Sequence, residues 1–162
     1  MNIVVGSDRA GYALKAEMIP LLIEAGHRVI DVGSDNAEHD MYFPDVAKVL
    51  CPYILSGEAE RAIVFCGTGV GIAIACNKVP GVRASVVHDI QTAHQAVEHD
   101  DVQVMCIGGK IVGPWLAWDL IQAFLVAKMD PSPRFRLMVD MLGELDGSSQ
   151  AQSSSCADGR QV

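Results

Sequence analysis

The chain has 162 residues, half of them hydrophobic and a fifth charged, a composition that belongs to a globular protein and not to a disordered one. Its 20 acidic against 12 basic side chains give a formal net charge of -8, which argues against nucleic acid or an anionic membrane surface as the main partner. Charges or glycines break every apolar run before the length of a membrane span, and MNIVVGSD lacks the basic start and cleavage site of a signal peptide, so neither is expected.

In chain order, short apolar runs alternate with helix-length amphipathic segments. NIVVG (2–6) reads as a strand, and AGYALKAEMIPLLIEAG as a helix in which Leu14, Met18, Leu21, Leu22 and Ala25 follow the three-four spacing and Gly26 is the stop. Pro20 inside it is expected to kink it. HRVIDVG is a second strand. PDVAKVLCPYILSG is a second helix, with Pro44 near its first turn and Pro52 disturbing its middle. RAIVFCG is a third strand and VGIAIACNK opens a third helix. RASVVHD and VQVMCIGG read as strands four and five, with the helix IQTAHQAVEH between them. GPWLAWDLIQAFLVAKM is a strong amphipathic helix, and a last one covers 134–145.

Continuous apolar strands alternating with helices imply a parallel sheet covered on both faces, an open three-layer α/β/α fold. Ligands of such sheets bind beyond the carboxyl ends of the strands, where Asp8, Gly33, Cys66, His88 and Gly108 fall. From Gly147 the chain turns polar and small, GSSQAQSSSCADGRQV, and is expected to be a disordered tail over 147–162. The five cysteines, Cys51, Cys66, Cys76, Cys106 and Cys156, are odd in number and form no CxxC pair. Three lie in apolar runs, which fits a reducing cytoplasm better than a disulfide framework.

The stretch FCGTGVGIAIACNK (65–78) sets a thiol directly before a glycine-rich strand-to-helix turn. Such a turn exposes backbone N–H groups and aims a helix N-terminus at an anion, and it serves equally as a plain structural turn. It is neither a P-loop, since no Gly-Lys-Ser/Thr follows, nor the dinucleotide fingerprint of a first strand. Cys66 before a helix start feels the helix dipole, which favours thiolate and suits a nucleophile or a general base; the alternative is a buried, inert cysteine. Asp8, after the first strand, is placed to bind sugar hydroxyls or to cap the next helix. His99, just before the fifth strand, is either a proton shuttle or a solvated loop histidine. His88 and His94 lack a carboxylate or cysteine at metal spacing, so no metal site is expected. His27 and His39 read as surface residues. Trp115 and Trp118 share a helix with Leu116, Ile121 and Phe124 and read as core or subunit interface.

GSDRAG, CGTGVGIAIACNK, GVRASVVHD and EHDDVQVMCIGGKIVG occur in the order found in the ribose-5-phosphate isomerase B / galactose-6-phosphate isomerase family, which the chain resembles over residues 1–145. The resemblance implies a Rossmann-like sandwich with a five-stranded parallel sheet and an extra C-terminal helix, making residues 1–146 a sugar-phosphate isomerase domain. It implies an intramolecular oxidoreductase that interconverts aldose and ketose phosphates without metal or other cofactor, as a homodimer or homotetramer with active sites shared between subunits. Cys66 matches the family's base, which moves a proton between C1 and C2 through a cis-enediolate. The position of the glutamate that some relatives use instead is Ala75 here. Gly67, Thr68, Gly69, Val70 and Gly71 match the anion hole for the enediolate, with Thr68 aiding proton transfer at the hydroxyl oxygens. His99 matches the ring-opening histidine, given by the neighbouring subunit, and Asp8 the aspartate that binds substrate hydroxyls. The departures fall on substrate contacts. Arg9 stands for a histidine, Asp100 and Gln103 for asparagines, Lys110 for an arginine, and Met138 for the second arginine of a phosphate clamp that begins at Arg134. Arg136 is an addition. The reaction type is thus expected to hold, with Arg9, Arg134 and Arg136 available to a phosphate and the sugar left open. Ribose 5-phosphate is the default, with a tetrose phosphate, a hexose phosphate, another pentose derivative or a non-catalytic sugar-phosphate-binding module as alternatives.

Overall fold

In a computed structural model, residues 1–38 and 41–146 are described. Five parallel strands, β1 (Asn2–Ser7), β2 (Arg28–Gly33), β3 (Arg61–Cys66), β4 (Ala84–Val86) and β5 (Val104–Gly108), form one sheet in the order β2-β1-β3-β5-β4. Six helices accompany them: α1 (Tyr12–Glu24), α2 (Phe43–Leu55), α3 (Val70–Asn77), α4 (Ile90–Asp100), α5 (Pro114–Val126) and α6 (Pro133–Leu145). The α/β sandwich and its extra C-terminal helix are as expected; His39 and the tail from 147 lie outside the described residues.

Side chains alternate across a strand, and the two faces of the sheet are packed separately. Ile3, Val5, Ile63, Phe65, Met105 and Ile107 face a core built with α1, α4 and α5. Val4, Val64, Cys66, Val104 and Cys106 face the other, built with α2 and α3. Wholly buried strands read as unbroken apolar runs, which is why they were visible in the sequence.

Several local expectations shift. The fourth strand contracts from RASVVHD to Ala84–Val86 because it is an edge strand with one neighbour, and its ladder stops with that register. Ala25 is the exposed C-cap of α1 and not part of its buried stripe. His27, expected at the surface, is half-buried; burial lowers its pKa, and its Nδ1 is enclosed without a partner. Trp115 is 91% exposed and contributes nothing to this chain's core. Buried Lys15 reaches from α1 to the end of β2, donating to the Asp31 carboxylate at 2.5 Å and the Ser34 carbonyl at 2.6 Å.

Candidate active site

The strand order reverses direction between β1 and β3, whose connections leave to opposite faces of the sheet. A crevice opens beyond the carboxyl ends at such a point. Asp8 and Cys66 stand on its two sides. Gly11 is the reason they come so close: a Cβ there would sit 2.2 Å from the backbone carbon of Phe65, so only glycine lets the start of α1 lie against the end of β3. The Asp8 N–H donates to the Phe65 carbonyl at 3.2 Å, and the Gly11 N–H donates to Asp8 Oδ1 at 2.9 Å. Asp8 therefore ties the turn that precedes α1 without capping the helix, whose N-cap is Gly11, and the same carboxylate acts on the Cys66 thiol.

The loop after Cys66 curls so that the backbone N–H groups of Gly69 and Thr68 lie near enough to its thiol to lower the pKa. Gly69 makes the curl with φ of 82°, and a side chain there would also press on the carbonyl of Cys106 at 3.2 Å. The Thr68 hydroxyl accepts the Val70 N–H at 3.4 Å. The first turn of α3 follows, with N–H groups that no helical carbonyl can satisfy. From the other side, the Gly109 N–H donates to the Cys66 carbonyl at 2.8 Å and the Lys110 N–H to the Gly67 carbonyl at 3.1 Å. Lys110 thereby lies beside the loop, its side chain exposed.

Burial, then the Asp8 hydrogen bond, then the Asp8 charge push the Cys66 thiol up, and the Gly69 and Thr68 N–H groups pull it down by less. This corrects the expectation that a helix start would hold it as thiolate. The helix dipole acts on a sulfur that the fold has already desolvated and set against a carboxylate.

A cavity of about 170 Å³ adjoins the pair, lined by Asp8, Arg9, Ala10, Met41, Tyr42 and Phe43. The Phe43 ring packs against Gly71, where an added Cβ would lie 3.2 Å from it. Met41, Tyr42 and Phe43 were not singled out from the sequence; their one signal is that two aromatics directly precede Pro44 at a helix start. A larger hollow of about 550 Å³, between α1 and α5 beside Trp115, is lined by neither the thiol nor the loop.

The structure divides the expected residues between two edges of the sheet. Asp8, Arg9, Cys66, the loop Gly67–Gly71 and Lys110 gather at the carboxyl edge. His99 and Asp100 end α4, which delivers the chain, through Asp101 in the left-handed region at φ 46°, to the amino end of β5. The five residues of β5 span roughly 13 Å at about 3.3 Å per residue, so His99 and Cys66 do not meet within one chain. His99 stacks on Phe135 of α6, with ring centroids 4.0 Å apart and planes 11° from parallel. Arg134 lies over the same ring at 5.9 Å, and Arg136 is exposed one residue beyond it. Gln103 is employed locally: its Oε1 accepts the Arg83 N–H at 2.9 Å. Arg83 in turn pairs with Asp101 at 2.7 Å. Among the described residues no group of three or more His, Cys, Asp or Glu side chains is arranged to hold a metal ion, and no helix is long and apolar enough to cross a membrane.

This arrangement has counterparts in known proteins. The family described as Ribose/Galactose Isomerase matches residues 3–142. A D-erythrulose-4-phosphate isomerase of Mycolicibacterium smegmatis is 36% identical over 151 residues, covering 91% of this chain and 99% of that protein. Ribose-5-phosphate isomerase B of Escherichia coli is 38% identical over 129 residues, covering 80% of this chain and 86% of that protein. The solved structure of ribose-5-phosphate isomerase B from Clostridium thermocellum matches with a TM-score of 0.87 at 39% identity, covering 91% of this chain and 98% of that one. With fold, strand order and near full-length likeness in agreement, the chain belongs to the Ribose/Galactose Isomerase family of sugar phosphate isomerases.

Proposed function

We propose that the chain interconverts ribose 5-phosphate and ribulose 5-phosphate, with Cys66 as the base. The observation that carries this reading is Cys66 at the end of β3, packed against the Asp8 turn through Gly11 and opening the glycine loop, where Asp8 and the loop N–H groups bias its thiol in opposite directions. A hydroxyl of the open-chain sugar donates to Asp8 and competes there with the thiol. Occupying that acceptor weakens its hold on the S–H, so the proton leaves to solvent and the two N–H donors favour the thiolate. The thiolate takes the proton from C2 of the aldose. Charge then develops on O1, and the backbone donors of the loop Gly67–Gly71 stabilise it as the cis-enediolate forms. The same sulfur returns the proton to C1, giving the ketose, while Thr68 relays the proton between the two hydroxyl oxygens. Proton, electron pair and charge balance without any other reactant.

The ring-opening step falls to His99 of a second copy of the chain. Its place at the opposite edge from Cys66 supports a site shared between subunits, since one copy alone offers the sulfur no histidine from α4. Arg134 and Arg136 travel with it on α6, and Arg9 stands beside Asp8, so a phosphate is met by cations from both partners.

A four-carbon substrate is the second reading. A relative over nearly the whole length is named D-erythrulose-4-phosphate isomerase, and Arg9 and Met138 depart from the family pattern where substrate is gripped. The test is turnover of four-, five- and six-carbon aldose and ketose phosphates by the purified protein. The highest kcat/KM on ribose 5-phosphate supports the first reading. The highest on a tetrose phosphate replaces it with the second. Binding of these sugars with no exchange of the C2 proton into solvent would make the chain a binding module and remove both.

A further inference from the structure

His88 has no part in the chemistry above, and it stands at the same edge as Cys66. β4 stops at Val86, and the Val87 N–H makes the last backbone rung to β5, donating to the Cys106 carbonyl at 3.0 Å. Two residues further along β5, where a continuing strand would offer a carbonyl, the Gly108 N–H donates instead to Nε2 of His88 at 2.9 Å. A backbone N–H can only donate, so Nε2 carries no proton there. The side chain of one residue thus replaces a missing sheet rung.

The amide it holds lies under the catalytic loop. Gly108 is the register partner of Cys66 and is wholly buried. A Cβ on Gly108 would meet the carbon and oxygen of Thr68 at 2.9 Å, so the Thr68 peptide rests on this glycine. The next residue, Gly109, binds the Cys66 carbonyl. The end of β5 is therefore the floor of the loop, held from β3 by Gly109 and from the outer strand by His88 alone among the described side-chain bonds.

We propose that His88 is a positioning residue for isomerisation: by accepting the Gly108 N–H it fixes the floor on which the Thr68–Gly69 peptide turns its Gly69 N–H toward Cys66. It touches no reacting atom, and the proposal rests on the reading of Cys66 as base. Aim matters here because donors aligned to a developing charge lose their effect when displaced by a fraction of their bond length.

The test compares His88→Leu, which keeps bulk and loses the acceptor, with His88→Gln, whose Oε1 reaches about as far as Nε2. Both are assayed on the best substrate from the screen above, with amide hydrogen exchange followed at Gly108. We expect His88→Leu to lower kcat by roughly ten- to a hundredfold. KM should stay within about twofold, exchange at Gly108 should speed up, and His88→Gln should restore most of both losses. A fully active His88→Leu, or a His88→Gln as impaired as the leucine, overturns the proposal. Should the leucine variant not fold, His88→Asn, too short to reach Gly108, takes its place with the same outcomes. Cys66→Ala is assayed alongside. An active Cys66→Ala overturns the base assignment itself, whereas an inactive one beside a normal His88→Leu overturns only the role of His88.

Discussion

The Asp8 carboxylate accepts the Gly11 N–H at 2.9 Å and, beside Cys66, pushes that thiol's pKa up on top of the effect of burial. One acidic side chain thus ends a turn and governs a proton. Its charge and its hydrogen bond both favour the protonated sulfur, so Asp8→Asn lowers the Cys66 pKa. The pH dependence of Cys66 alkylation reads this directly: its midpoint moves to lower pH in the variant. An unmoved or higher midpoint would show that burial alone sets the thiol. In the unaltered protein kcat/KM rises with pH through the alkaline range, because the base form is the thiolate and its pKa lies above the ordinary cysteine value.

Cys66→Ala lowers kcat by about a thousandfold or more, since no second acceptor stands within the loop. Substrate binding and melting temperature change little, because one small buried atom is lost. Turnover also survives prolonged treatment with EDTA. Activity lost to the chelator and regained with a divalent ion would place the chemistry on a metal.

Subunits carrying Cys66→Ala and subunits carrying His99→Ala are each inactive alone, and mixing them under exchanging conditions restores activity. In a mixed pair one of the two sites unites an intact Cys66 with an intact His99. Continued silence after proven exchange would mean the two residues never share a site.

The arginines of the proposed phosphate grip are tested by kinetics. Removing Arg9 or Arg134 raises KM more than it lowers kcat, because a contact to a remote phosphate is largely uniform binding worth about 1.5–3 kcal/mol. Restoring the family pattern with Arg9→His and Met138→Arg together shifts the ratio of kcat/KM values toward ribose 5-phosphate if the departures encode another sugar. A protein that already prefers ribose 5-phosphate and is merely weakened by the double change has a rearranged clamp instead.

Gly11→Ala destabilises the fold by about 3 kcal/mol, at the upper end of overpacking costs, because its new methyl meets backbone that cannot rotate away. Urea unfolding measures it as a lower midpoint. A loss under about 1 kcal/mol would mean that α1 can retreat from β3 without harm.

β1, β3 and β5 and the glycine loop are legible because those strands are buried on both faces and the loop changes composition abruptly. The edge strand was overestimated: RASVVHD is apolar enough to continue, yet His88 takes over a rung with its side chain, which periodicity cannot reveal. Trp115, read as core or subunit interface, is not part of this chain's core. Apolar spacing marks a helix face but not what lies against it, and in this chain that residue is bare. The raised pKa of Cys66 is not legible because it depends first on burial by the fold and then on Asp8, distant in sequence and brought near by Gly11. The division of Cys66 and His99 between opposite edges was available in principle from the alternation of strands and helices, since a helix that follows β4 must end where β5 begins.

On the proposed mechanism the Cys66 sulfur stays protonated until a substrate arrives, and such a sulfur is also hidden from oxidants. Peroxides and soft electrophiles attack the thiolate, and the path to sulfinic and sulfonic acids begins with that attack. Burial, with the carboxylate beside Cys66, is therefore expected to keep the resting protein chemically quiet under conditions that would sulfenylate an exposed, acidic cysteine. Its vulnerability is confined to the turnover itself, when the ligand that liberates the sulfur also stands in the way of the oxidant.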